Sequence, residues 1–177
     1  MNTKKTGVIE KVEDKTTDVI KGVGNVFQTT LDAIASTLET AFKDTGKVGM
    51  SVVDAVADVV RSTIHAVAKV GTDLTHAARA IMVGVLRGTK DTGADVLDTI
   101  SKTASNTIRE TAKVGGDIEA ATTGLIEGAV EGGKEMGVSA EKAVAAVTEG
   151  AMKAADKAGS SAVDAVRKAT SKSGKKA

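Results

Sequence analysis

The sequence predicts an all-α fold made of tandem 22-residue amphipathic helical repeats. Three observations carry that prediction. Gly49, Gly71, Gly93, Gly115, Gly137 and Gly159 each follow the last by 22 residues, and self-similarity at a fixed period is the signature of a repeat architecture. Ser or Asp stands two places after every one of them, at Ser51, Asp73, Asp95, Asp117, Ser139 and Ser161. Between these punctuation marks the apolar residues recur with helical rather than alternating spacing.

Twenty-two residues are two elevens, about 3.67 residues per turn over six turns. On that period Val48, Val52, Val70, Leu74, Ile81, Val114, Ile118 and Leu125 share one apolar sector, continued by Val56, Ile64, Leu86, Ile100, Ile108 and Val130. His65, His76, Arg87, Asp98, Arg109 and Glu131 fall opposite. The stripe is wide but made of small side chains.

Taken in order, residues 1–21 read as a frayed, partly helical lead-in. Residues 22–46 form a first repeat, with Val23, Phe27, Leu31, Ile34, Leu38 and Phe42 on the apolar sector and Gly46 as its closing glycine. The main series starts three residues later, at Gly49, and a three-residue offset rotates the stripe. Asp44–Lys47 is therefore the expected break or hinge. Residues 47–170 are the main array, and residues 171–177 a basic, disordered tail.

Two structures satisfy the main array. In one, the helices run nearly continuously through the glycines. In the other, each glycine is a left-handed C-cap and the Ser or Asp two places on is the N-cap of the next helix. The second gives helices of about 18 residues, roughly 27 Å long, joined by short turns into an up-and-down stack. Breaks suit a protein-packed state, and the continuous form suits a lipid surface.

Composition narrows the function. The chain has no Pro, Cys, Trp or Tyr and two Phe, so the core rests on Val, Ala, Ile, Leu, Met and Thr methyls. Lys plus Arg is 24 against 23 for Asp plus Glu, which gives no reason to expect a specific nucleic-acid partner. No apolar run reaches the roughly 18–20 residues of a membrane span, and no apolar signal core follows the basic start. The expected location is cytoplasmic, with a peripheral position on a membrane or granule as a variant.

No catalytic, cofactor or metal site is expected. His65 and His76 share a face but lie about 16 Å apart on a continuous helix, too far for one ion. Glu110 and Lys113 read as ordinary surface neighbours. Gly84/Gly88 and Gly124/Gly128/Gly132 are small-xxx-small patterns that permit tight helix packing. Arg167, Lys168, Lys172, Lys175 and Lys176 form a basic C-terminal cluster.

The stretch Val85-Leu86-Arg87-Gly88-Thr89-Lys90-Asp91-Thr92-Gly93-Ala94-Asp95 resembles the repeat units of perilipin-type lipid-droplet proteins. Lys113-Val114-Gly115 and Val70-Gly71 are similar to synuclein-type elevens. Ala154-Ala155-Asp156-Lys157-Ala158-Gly159 resembles late-embryogenesis-abundant proteins of the eleven-residue class, and the size is also compatible with phasin-like granule coats. The first two resemblances imply helices lying on lipid, and the third a desiccation protectant. The leading expectation is a non-catalytic repeat protein coating a membrane, lipid droplet or storage granule. The alternatives are a stress protectant and a structural protein that packs against itself or other copies. None needs a small-molecule substrate.

Overall fold

The computed structural model describes residues 31–37, 40, 51–71 and 73–173. Val48, Gly49, the offset at Gly46 and the expectations for residues 1–30 lie outside the described residues. Six helices follow a helical segment at 31–37: α1 (Val52–Val70), α2 (Leu74–Thr89), α3 (Val96–Lys113), α4 (Ile118–Glu135), α5 (Ala140–Ala158) and α6 (Ser160–Ser173).

The helices start where a side-chain oxygen can replace the missing intrahelical acceptor. Ser51 accepts from the Asp54 N–H, Asp73 from Thr75, Asp95 from Asp98, Asp117 from Ala120 and Ser139 from Lys142. α1, α3, α4 and α5 end within two residues of a repeat glycine, and α2 ends at Thr89, four residues before Gly93. Gly71, Gly93, Gly115 and Gly137 have φ of 74°, 74°, 68° and 77°, the left-handed region that disfavours a Cβ. After α3 the Gly116 N–H donates to the Thr111 carbonyl and the Gly115 N–H to Ala112; after α4 Val138 donates to Gly133 and Gly137 to Lys134. Both are Schellman turns. Of the two structures the sequence allows, the fold is the one broken at the repeat glycines.

Ser161 departs from expectation. Gly159, at φ 120° and ψ 173°, is the whole connection between α5 and α6. Its own carbonyl accepts from the Ala162 and Val163 N–H groups. The link is thus shorter than the others, and Ser161 falls inside α6 rather than at its cap. α6 also runs to Ser173, past the boundary expected at residue 170.

The helices stack up and down, as expected, with the most extensive contacts between alternate rather than successive helices. α2 packs most extensively against α4, α3 against α5, and α1 against α3, with α6 also on α4. Odd helices form one layer and even helices the other. Within a layer the helices run parallel and share one register. Gly124 faces Thr75, Gly128 faces Arg79, Gly150 faces Ser101 and Glu119 faces Lys168, each pair two repeats plus five positions apart.

Glycine permits this approach. A Cβ on Gly124 or Gly150 would collide with the backbone carbonyl of Thr75 or Ser101, and one on Gly128 would lie 2.7 Å from the Arg79 carbonyl. The Ala-, Val- and Ile-rich core fills what remains. α2 is buried on nearly all sides, from Ile81 through Leu86, because Leu31 and Ile34 lie over Gly84 while α4 covers Met82 and Leu86. Ile81 and Leu125 of the apolar sector are fully buried. Val52, Val70, Leu74, Val114 and Ile118 are half-buried and packed against the core clusters.

Three kinds of glycine should respond differently to alanine. Gly115→Ala meets no atom within 4 Å but must hold a left-handed backbone, and should cost about 1 kcal/mol. Gly124→Ala must push α2 from α4 and should cost about 3 kcal/mol. Gly133→Ala, whose nearest neighbour is the Ala143 Cβ at 3.5 Å, should be neutral or stabilising by up to about 1 kcal/mol. Urea unfolding of the three variants checks the order.

Candidate functional site: a buried carboxylate and an open groove

Two places in the array carry polar chemistry beyond ordinary helix surface. The first is on α3, whose buried side includes Thr103, Asn106, Thr107, Glu110 and Thr111. The Glu110 side chain is only 3% exposed. Lys113 Nζ donates to Glu110 Oε1 at 2.8 Å, and Arg109 Nε to the same oxygen at 3.3 Å. Across the α1–α3 contact, His65 Nε2 lies 3.5 Å from Glu110 Oε2. Arg109 also donates to Asn106 Oδ1 at 2.8 Å.

Glu110 is therefore not the surface neighbour that its spacing from Lys113 suggests. Desolvation pushes its pKa up, but the hydrogen bonds and charges of Lys113 and Arg109 together outweigh it and hold the carboxyl below its usual range. The cations themselves are half-exposed, so their charge is cheaply solvated while the carboxylate sits inside. Lys113, Arg109 and Asn106 all belong to α3, while Glu110 Oε2 and His65 Nε2 are buried without a hydrogen-bond partner among the described residues. His76, by contrast, is exposed and pairs with Asp73 of its own helix start at 3.2 Å. The two histidines thus serve different carboxylates.

The second place is a groove of about 1190 Å³ between α4, the start of α5 and the end of α6. Its apolar part is Ile126 and Val130 of α4 with Val144 of α5; Glu127, Lys134 and Glu141 stand around it. Arg79 reaches its edge from α2 and donates to Glu131 from Nε and Nη2, at 2.9 and 2.6 Å. About two helical turns further, Arg87 makes a two-oxygen pair with Glu135, at 3.0 and 2.7 Å. These pairs lock α2 and α4 in place along their exposed flank. Lys168 and Lys172 of α6 both lie 2.7 Å from the Glu119 carboxylate, so these two of the five residues in the basic C-terminal cluster are helical and paired.

Sequence reasoning placed Val130 on the apolar sector and Glu131 on the polar one, but did not bring them to one groove. The available signal was the glycine row at 124, 128 and 132, which marks the flank of α4 turned to α2 and so leaves Ile126 and Val130 on another. Nothing in the 22-residue period shows which neighbour covers that flank.

The chain matches no protein-family model and no curated protein. It is similar to the crystal structure of the de novo designed helical repeat protein DHR7, with a TM-score of 0.57 and 17% identity over 95% of this chain and 92% of that one. The likeness is one of fold. The chain is an all-helical repeat structure, and among the described residues no helix is long and apolar enough to cross a membrane.

Glu110 supplies a pH test of the buried network on α3. A carboxyl held below its usual pKa in the fold stabilises it above about pH 4.3, the unfolded reference, and that stabilisation is lost as the pH falls through the folded value. Glu110→Gln should cost about 2 kcal/mol at pH 7, and the gap to the parent chain should narrow below pH 4. Paired urea titrations at pH 7 and pH 3.5 measure both.

Proposed function

We propose that this chain is a non-catalytic structural protein, a self-packed helical-repeat scaffold that works through the surface its array presents. One observation carries this reading: the apolar stripe is spent inside the molecule. Ile64, Ile81, Leu86, Ile100, Ile108 and Leu125 are at most 1% exposed, while Val53 and Leu97 are the only large hydrophobics exposed beyond about a third of their surface among the described residues. A coat must offer such side chains to lipid, since interfacial binding scales with the apolar area buried. The left-handed glycines support the same reading, because a helix lying flat on lipid has no need of breaks every 22 residues.

The setting of Glu110 fits a structural role as well: Lys113 and Arg109 of its own helix hold one oxygen of the buried carboxylate. A scaffold that folds on its own should be strongly helical in dilute buffer and melt cooperatively, with no gain in helicity on adding neutral or anionic vesicles. Circular dichroism with vesicle flotation tests this. A coil that becomes helical only on vesicles would establish the coat instead, and one that does so only on drying would establish the protectant.

A further inference from the structure

α1 and α3 meet without glycine. Gly124 and Gly128 bring α4 onto the backbone of α2, and Gly150 brings α5 onto that of α3, but neither α1 nor α3 contains a glycine. Among the described residues one charged pair crosses between them: His65 Nε2 lies 3.5 Å from Glu110 Oε2. Both atoms are buried, and neither has a hydrogen-bond partner among the described residues. Glu110 Oε1, by contrast, already holds Lys113 and Arg109.

A buried polar atom without a partner is costly. A neutral imidazole has one N–H for its two nitrogens, and with the proton on Nδ1 the Nε2 lone pair faces the carboxylate. The imidazolium has a proton on both, which places a donor and a positive charge beside Oε2 for a charge-assisted bond. The His65 side chain is 35% exposed, so the ring exchanges protons with solvent while Nε2 stays inside.

The other charges around the pair are solvated or already engaged. On α3, Arg109 and Lys113 are half-exposed. On α1, Arg61 and Lys69 stand one turn to either side of His65 and are exposed, and Asp58 stands two turns back. α2 brings Leu74, Ala77, Ile81 and Val85 to α1, while its Arg79, Arg87 and His76 pair with Glu131, Glu135 and Asp73. In the helical segment at 31–37 the charged residue is Asp32, which acts on Arg87. The charged residues of α4 and α5 are exposed or paired with α2 or α6.

We propose that His65 and Glu110 form a pH-operated clasp: a proton taken up by His65 closes a bond to Glu110 Oε2 and fastens α1 to α3. The bond needs the imidazolium, so its stabilisation is present below about pH 6.5, the reference for a free histidine, and is lost as the pH rises towards 8. At the acid end it persists until Glu110, held below the usual carboxylate range, is itself protonated. The proposal rests on the folded-array reading above. A chain that is coil in buffer at both ends of this range loses both, and a folded chain without the pH response loses only the clasp.

The test is urea unfolding of the full chain at pH 8 and pH 5.5 at one ionic strength, with amide hydrogen exchange corrected for its intrinsic rate. The gap in urea midpoint between the parent chain and His65→Gln should be wider at pH 5.5 than at pH 8 by about 0.5 M. Protection of the α1 amides in the parent, relative to His65→Gln, should rise about three- to tenfold over the same range. In a Glu110→Gln background the gap should no longer depend on pH. If that chain does not fold, Glu110→Asp draws the carboxylate back from His65 and should shrink the effect. His76→Gln should leave it intact. A gap that is equal at the two pH values, or wider at pH 8, would overturn the proposal. So would a pH response that survives in a folded Glu110→Gln chain, or one lost in His76→Gln, which would assign it to the exposed pair with Asp73.

Discussion

The backbones of α2 and α4 touch. No side chain separates Gly124 from the Thr75 carbonyl, nor Gly150 of α5 from that of Ser101. This approach sets the geometry of the rest. It draws parallel helices two repeats apart into one layer and leaves the intervening helix to the other. It places the flanking pairs Arg79–Glu131 and Arg87–Glu135 within bonding distance. It also explains how a chain with two phenylalanines and no other aromatic residue has a core. Small side chains bury little area each, but close-packed helices gain dispersion contacts along their whole length, and glycine gives the shortest separation.

That geometry decides which features were readable in advance. The caps were legible because they are local. An Asp two places after a glycine can accept the first free N–H whatever the helix packs against, and a left-handed glycine ends a helix for reasons internal to its own residue. Where the cap geometry changed, at Gly159, the change was also local: one extended residue replaced a turn, and Ser161 was absorbed into α6. The choice of helix partner was not legible. A 22-residue period places the same stripe on every helix, so it fits a stack of chain neighbours as well as two layers of alternate helices. Only the glycine row 124, 128, 132, set against the single Gly150 on α5, breaks that equivalence.

Glu110 was misread for a related reason. On one helix, Glu110 and Lys113 form an unremarkable pair, and burial is a property of what comes from outside. α1 brings His65 and an apolar flank onto that side of α3. The hint was compositional: Thr103, Asn106, Thr107 and Thr111 give α3 a polar side where the other helices carry Ala, Val or Gly. Thr107 can be buried there because its hydroxyl donates back to the Thr103 carbonyl at 2.9 Å, whereas the Thr103 and Thr111 hydroxyls have no hydrogen-bond partner among the described residues. A carboxylate has no proton to give to a helix carbonyl and needs donors, which Arg109 and Lys113 supply from the solvent side.

Charge works on the solvent side of these contacts. α6 lies on the first part of α4, where Lys168 and Lys172 both reach the Glu119 carboxylate and Ala169 is buried. Arg79 and Arg87 of α2 reach Glu131 and Glu135 of α4 in the same way. Exposed pairs of this kind add little stability each. Their role is to favour one register among the several that a stripe of small apolar side chains would accept, because a slip of one turn separates the partners while leaving the apolar contact almost unchanged.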